Sequence, residues 1–210
     1  SLDGAPDTEV VFVGLQPDGT ANLDELAGAL TPDTALVSLL HVNNEVGAIN
    51  DLSAAAALVK QVSPSALLHA DGVQAFCKLP FSRPPVDLYS ISAHKFHAPK
   101  GVGALYVRGG IKFAGGQIGG GQERNLRSGT TNVPGILGLD AALGSYRAHQ
   151  AKWIAHMRAC KERLAQNLLA IPDSLINGPA PEDGAPHILN VSFPGVRGEV
   201  LVNALSEQGI

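Results

Sequence analysis

The chain has 210 residues, of which 45% are hydrophobic and 16% charged, so it can bury a sizeable core and is not disordered by composition. Its net charge of −4, from 15 Lys and Arg against 19 Asp and Glu with no basic run, argues against a nucleic-acid partner. Cys77 and Cys160 are too few for a disulfide framework, and no stretch reads as a membrane span or signal peptide, so a reducing, cytoplasmic setting is expected.

Glu9 to Val13 is a short β-branched run and predicts a strand. Leu23, Leu26, Ala27 and Leu30 follow at i, i+3, i+4, i+7 spacing, which predicts a helix from about Asn22 to Leu30 with Asn22 as its N-cap. Thr31-Pro32 ends it, because the residue before a proline avoids the helical region. Thr34 to Val42 is nearly continuous in apolar residues, as in a parallel strand buried on both faces. Asp51 to Val62 reads as a helix; Ala66 to Ala70, Leu88 to Ser92 and Gly103 to Arg108 read as strands. Strands alternating with helices imply an α/β fold with a mostly parallel sheet flanked by helices.

From Val133 to Ile171 the pattern is helical, with Gly135, Gly138 and Gly144 weakening its first part. A joint between domains is expected near residues 146–150. Ile188 to Phe193 and Glu199 to Glu207 then give a strand and a helix of a second unit. The chain opens on Ser1-Leu2-Asp3-Gly4 and closes on Gln208-Gly209-Ile210, where a polypeptide normally continues, so a fragment is expected.

Ligands of open α/β sheets collect beyond the carboxyl ends of the strands. Three polar clusters fall at such ends: His41-Val42-Asn43-Asn44-Glu45, His69-Ala70-Asp71-Gly72-Val73-Gln74 and Ser92-Ala93-His94-Lys95. Lysine just past a buried strand is what a carbonyl cofactor needs, since desolvation there lowers its pKa and frees the amine to attack an aldehyde. An acid on a neighbouring strand end suits pyridoxal phosphate, whose ring nitrogen works best when held protonated. Each residue also has a plainer reading. Lys95 could be a solvated surface charge, Asp71 a helix N-cap, Gln74 the closure of a turn, and Asn44 a partner for loop backbone.

Gly119 to Thr131 is a second feature. Its glycines allow close backbone approach, Arg127, Ser128 and Thr130 offer donors to an anion, and a helix begins soon afterwards. A flexible loop at a subunit contact would have the same composition. Cys77 and Cys160 are expected to be buried structural thiols. His94 and His97 lack further ligands at metal-site spacing, and His149, His156 and His187 are scattered, so no metal is expected.

Taken together, His41 to Gly47, His69 to Gln74, Ser92 to Lys95 with Pro99 to Arg108, Gly119 to Thr131 and His187 to Phe193 resemble the cysteine desulfurases of the NifS/IscS type, within the class V aminotransferases of fold-type I. The resemblance implies a partial pyridoxal-phosphate-binding large domain over residues 1–148 and part of a smaller α+β C-terminal domain over 149–210. It implies that Lys95 carries the cofactor as a Schiff base, Asp71 pairs with its pyridine nitrogen and Gln74 bonds its ring hydroxyl. Ser92 and His94 would hold the phosphate, Thr130 would reach the phosphate of a partner subunit in a homodimer, and Asn44 would sit near the ring and the substrate carboxylate. The implied reaction takes sulfur from L-cysteine to an enzyme persulfide and releases L-alanine, with Lys95 as general acid and base and a sulfur-acceptor scaffold protein as a candidate partner.

The family also carries a phosphate loop and a ring-stacking histidine upstream of the matching segments, and a nucleophilic cysteine and a substrate-binding arginine downstream. Neither Cys77 nor Cys160 aligns with that cysteine. The expectation is therefore the middle of a desulfurase, inactive by itself. A selenocysteine lyase or related class V aminotransferase, and a non-catalytic dimerisation fragment, are the alternatives.

Overall fold

The computed structural model describes residues 8–80, 82–112 and 116–210. A four-stranded sheet of order β1-β2-β3-β4 is formed by Leu36–Leu40, Leu67–Asp71, Leu88–Ser92 and Gly103–Val107. The first three strands are parallel and β4 is antiparallel to β3. Helix α1 (Leu23–Ala29) precedes β1, and α2 (Leu52–Val62) crosses from β1 to β2. The connection from β2 to β3 is a run of turns rather than a helix. The fold is α/β, with a mixed, mostly parallel sheet flanked by helices.

Both early helices begin where side chains can satisfy free backbone N–H groups. Asn22 accepts from the backbone of Asp24 and Glu25, and Asp51 from Ser53 and Ala54. Leu26 and Leu30 then meet Leu52, Val59, Val37, Leu68 and Ala70 in one cluster, which covers one face of the sheet. Strand residues alternate between faces, so Ser38 and His69 lie on the other. There Ser38 Oγ lies 2.8 Å from His69 Nδ1, and His69 Nε2 lies 3.3 Å from Ser90 Oγ, a polar ladder across three strands.

Two expectations fail for the same reason. Glu9–Val13 joins no strand among the described residues; Val10, Val11 and Phe12 are exposed, because β-branched residues make a strand only with a neighbour to pair with. Strand β1 is not buried on both faces. Among the described residues it has one partner strand; Val37 is buried, and Leu36 and Leu40 are 45% and 39% exposed.

Helix α3 runs unbroken from Val133 to Leu168, through the joint expected near 146–150. Gly135 and Gly138, which looked like weaknesses, are where α3 lies against Val102 and Pro99; a Cβ at either position would overlap those side chains. Beyond α3, β5 (Leu175–Asn177) and β6 (Asn190–Ser192) form an antiparallel pair, and α4 (Gly198–Glu207) follows. The three-residue β5 is too short to have shown in the sequence pattern.

Just past β2, Gly72 lies so close to Tyr89 of β3 that a Cβ would overlap the phenol ring at Cε1 and Cζ. Tyr89 Oη in turn lies 2.8 Å from His41 Nδ1. Gly72→Ala should therefore cost about 2 kcal/mol or more of stability through overpacking and loss of the Tyr89–His41 bond. Urea unfolding of the variant checks this, and an unchanged midpoint would show that the strands can spread at no cost.

Candidate functional site

Asp71 ends β2 and Ser92 ends β3; these adjacent parallel strands pair Asp71 with Ser90, so both residues emerge at one edge of the sheet. Asp71 Oδ1 accepts the backbone N–H of Val73 at 2.8 Å, which orients the carboxylate and caps a turn rather than the helix considered from sequence. Asp71 also bears electrostatically on Tyr89, whose phenol is pushed up first by burial and then by that charge.

Past Ser92 the chain makes a short 3-10 helix, Ala93–Phe96. Ala93 and Phe96 are fully buried, with Phe96 held edge-on by Phe76 and Tyr146 at ring separations of 5.4 and 6.2 Å. His97 closes the turn with φ 68°, and Ala93 N donates to Val102 O at 3.0 Å. The buried pair fixes the turn, and the two residues between them, His94 and Lys95, are exposed. The desolvated lysine expected from sequence is therefore not found, because only Ala93 and Phe96 of this turn face the core. Lys95 is still electrostatically close to Lys78 and His187.

Gln74, in the turn after Asp71, does more than close that turn. Its Oε1 lies 3.3 Å from His187 Nε2, across 113 residues of sequence. His187 opens one of the segments that carry the family resemblance, but nothing in its spacing assigned it to the site; the return of the segment after α3 brings it here. Burial, followed by the positive charges of Lys78, Lys161 and Lys95, pushes its imidazole down to about 4. Asn44 is exposed in the turn between Asn43 and Gly47 that follows β1, a turn pinned by Asn43 Oδ1 accepting from the backbone of Glu45 and Val46.

The glycine-rich segment forms an open concavity of about 530 Å³, lined by Gln117–Gly120, Gln122 and Ser128–Thr130. The donors expected for an anion are partly engaged within it. Ser128 Oγ donates to the carbonyls of Gln117 and Gly120 at 3.1 and 2.8 Å, and Arg127 Nη1 to the Ser128 carbonyl at 3.0 Å. Thr130 is exposed on the rim.

Of the cysteines, Cys77 is buried as expected, its thiol pushed up to about 11 by burial. Cys160 is exposed instead, with Sγ 3.6 Å from His156 Nε2 one turn earlier in α3. A position inside a long helix did not imply burial, because few of the residues of α3 are buried.

A buried neutral imidazole binds its proton more weakly folded than unfolded, so the unfolded chain takes up more protons as pH falls. The contribution of His187 is complete above its ordinary value of 6.5 and is lost as pH drops through about 4. His41 and His69 are lowered in the same direction by burial. Stability should fall across that window, and His187→Asn should flatten the fall. Urea midpoints measured from pH 7 to 4 decide it, and identical profiles for parent and variant would refute this account.

Comparison with known proteins gives the family. A cysteine desulfurase from Nostoc sp. is 40% identical over 204 residues, 96% of this chain and 50% of its own length. A cysteine desulfurase IscS from Escherichia coli is 39% identical over 206 residues, again 96% of this chain and 50% of its own. Among solved structures, a NifS-like protein superposes with a TM-score of 0.92 at 41% identity, covering 97% of this chain and 56% of that one. SspA in complex with cysteine superposes with a TM-score of 0.73 at 26% identity, covering 96% of this chain and 55% of that one. The chain thus spans about half the length of the curated relatives it matches. The family described as aminotransferase class-V matches residues 3–210, and this chain belongs to it.

Proposed function

We propose that this chain is the cofactor-bearing core of a pyridoxal-phosphate-dependent cysteine desulfurase. The observation that carries the proposal is the convergence of Asp71, Gln74, Ser92, His94 and Lys95 at the carboxyl ends of two adjacent parallel strands. This donor set fits the cofactor: a carboxylate for a basic ring nitrogen, an amide for a ring oxygen, a hydroxyl and an imidazole for a phosphate, and a primary amine for an aldehyde. The names of the relatives, cysteine desulfurases, and a structural neighbour in complex with cysteine support L-cysteine as substrate.

When bound, pyridoxal phosphate supplies an electron sink for the bonds of the substrate's α-carbon. The chain's own residues would do the rest. Asp71, its Oδ1 fixed by Val73 N–H, would use its other oxygen to keep a ring nitrogen protonated. Gln74 would donate to the ring oxygen, Ser92 and His94 would hold the phosphate, and Asn44 would stand near the ring and the substrate carboxylate. Lys95 Nζ would anchor the cofactor and, once released by substrate, take and return a proton at the substrate carbons as general acid and base. Sulfur would pass to a persulfide on a cysteine that is neither Cys77, which burial keeps as a thiol, nor Cys160, since neither aligns with the nucleophile of the family. Thr130 would reach a phosphate held by a second subunit, so the working unit is a homodimer, with a sulfur-acceptor scaffold protein as its further partner. The large-domain part would span 1–148 and the C-terminal part 149–210.

Incubation with pyridoxal phosphate, borohydride reduction and peptide mass spectrometry should place an adduct on Lys95, and Lys95→Ala should abolish it. Asp71→Asn should retain the adduct but lower the fraction labelled. Scattered labelling of surface lysines, or labelling that survives Lys95→Ala, would remove Lys95 from the role and favour a non-catalytic dimerisation fragment.

A further inference from the structure

His187 lies on the loop between β5 and β6, and that loop is held at several points. Lys161, 6% exposed on α3, donates from Nζ to the Ala185 carbonyl at 3.0 Å. Arg158 Nη1 donates to the Glu182 carbonyl at 2.5 Å. On the opposite side, Ala185 N donates to Gly47 O at 2.8 Å, and Ala185 and Pro186 are fully buried. The imidazole is therefore delivered to Gln74 by a fixed backbone.

Its second ring nitrogen, Nδ1, is buried and has no hydrogen-bond partner among the described residues. That orphan atom decides between two arrangements. If Gln74 donated its amide to Nε2, the proton of a neutral ring would sit on Nδ1 as a buried N–H with no acceptor. If Nε2–H donates to Gln74 Oε1, Nδ1 carries only a lone pair. Orphaned buried N–H groups are the rarer and costlier of the two. The second arrangement wins, and it points the Gln74 NH2 group away from His187.

We propose that His187 is a positioning residue that fixes the Gln74 amide by donating to its oxygen, leaving the amide NH2 as a committed donor at the mouth of the site. The proposal rests on the reading of Gln74 as the partner of a cofactor ring oxygen. With the amide free to rotate, half of its orientations would turn an acceptor toward that oxygen and repel it. Lys161 acts one step further out, by anchoring the loop that carries His187.

Nitrogen-15 spectra of the full chain without cofactor test the arrangement directly. The expected result is a protonated Nε2 and a bare Nδ1 on His187, with the Gln74 side-chain amide signals displaced in His187→Ala and returned toward the parent in His187→Gln, whose amide nitrogen stands at the same reach from the backbone as Nε2. A ring protonated at Nδ1, or Gln74 signals indifferent to His187→Ala, would overturn the proposal. In titrations with pyridoxal phosphate, His187→Ala should weaken binding about five- to tenfold, as expected for one hydrogen bond, and His187→Gln should recover most of that. Equal affinity in all three would overturn the link to the cofactor. A parent chain that takes up no pyridoxal phosphate would instead defeat the reading of the site, while the nitrogen spectra still decided the role of His187.

Discussion

The parallel pairing of β2 with β3 is the constraint on which the rest of this structure depends. It sets Asp71 opposite Ser90 and so brings an acid and the Ser92–Lys95 turn to one edge. Asp87 secures the pairing at its other end. Its backbone N–H donates to Leu68 O at 2.8 Å, its Oδ2 accepts Leu68 N–H at 2.8 Å, and its Oδ1 takes Arg108 Nε at 2.5 Å from beyond β4. One carboxylate thus ties three strands where a slip of register would turn Asp71 to the wrong face. A pairing of this kind is worth more than an exposed ion pair because the acceptor is half-buried and bonded to backbone as well as to a cation.

Around that edge the molecule uses buried apolar groups to hold exposed polar ones. Phe96 fills a space between Phe76 and Tyr146, and its burial leaves the preceding two residues no direction but outward. Tyr146 is itself stacked on His97 and packed edge-on against Trp153 at 4.7 Å, so α3 is packed directly on the turn after β3. The same helix reaches the far side of the site through Lys161, which meets the loop that carries His187. A single helix therefore braces both the Lys95 turn and the Gln74 contact. Polar groups set on so rigid a support lose little entropy when they engage a ligand.

Charges of both signs meet at this edge. Lys78, Lys95 and Lys161 all act on His187 to keep it neutral, and Asp71 is the acid that bears on Tyr89 and His69. Lys161 is in turn balanced by Glu162, Glu182 and Asp183 and bonded to the Ala185 carbonyl, so Lys78 and Lys95 are the cations that the acids beside α3 do not offset in this set. The glycine-rich concavity contributes differently. The Ser128 hydroxyl and Arg127 Nη1 bond within the loop itself, while Thr130 is exposed on its rim.

Sequence alone determined the elements whose stability is local. Helices α1 and α2 carry their caps and apolar spacing in the chain, and β2, β3 and β4 announce themselves as apolar runs ending in polar residues. The strand-end clusters at Asp71 and Ser92–Lys95 were legible because an apolar run that stops abruptly at polar residues is a one-dimensional signal. What only the tertiary structure decided were the features made by neighbours. Among the described residues Glu9–Val13 meets no partner strand, β1 lies at the edge of the sheet, and no element packs over Cys160 and Lys95. Gly135 and Gly138 were contact points rather than flaws, and His187 met Gln74 through a return of the chain that no spacing rule encodes. Burial and long-range hydrogen bonds depend on what stands opposite a residue, and the order of residues along the chain does not specify that.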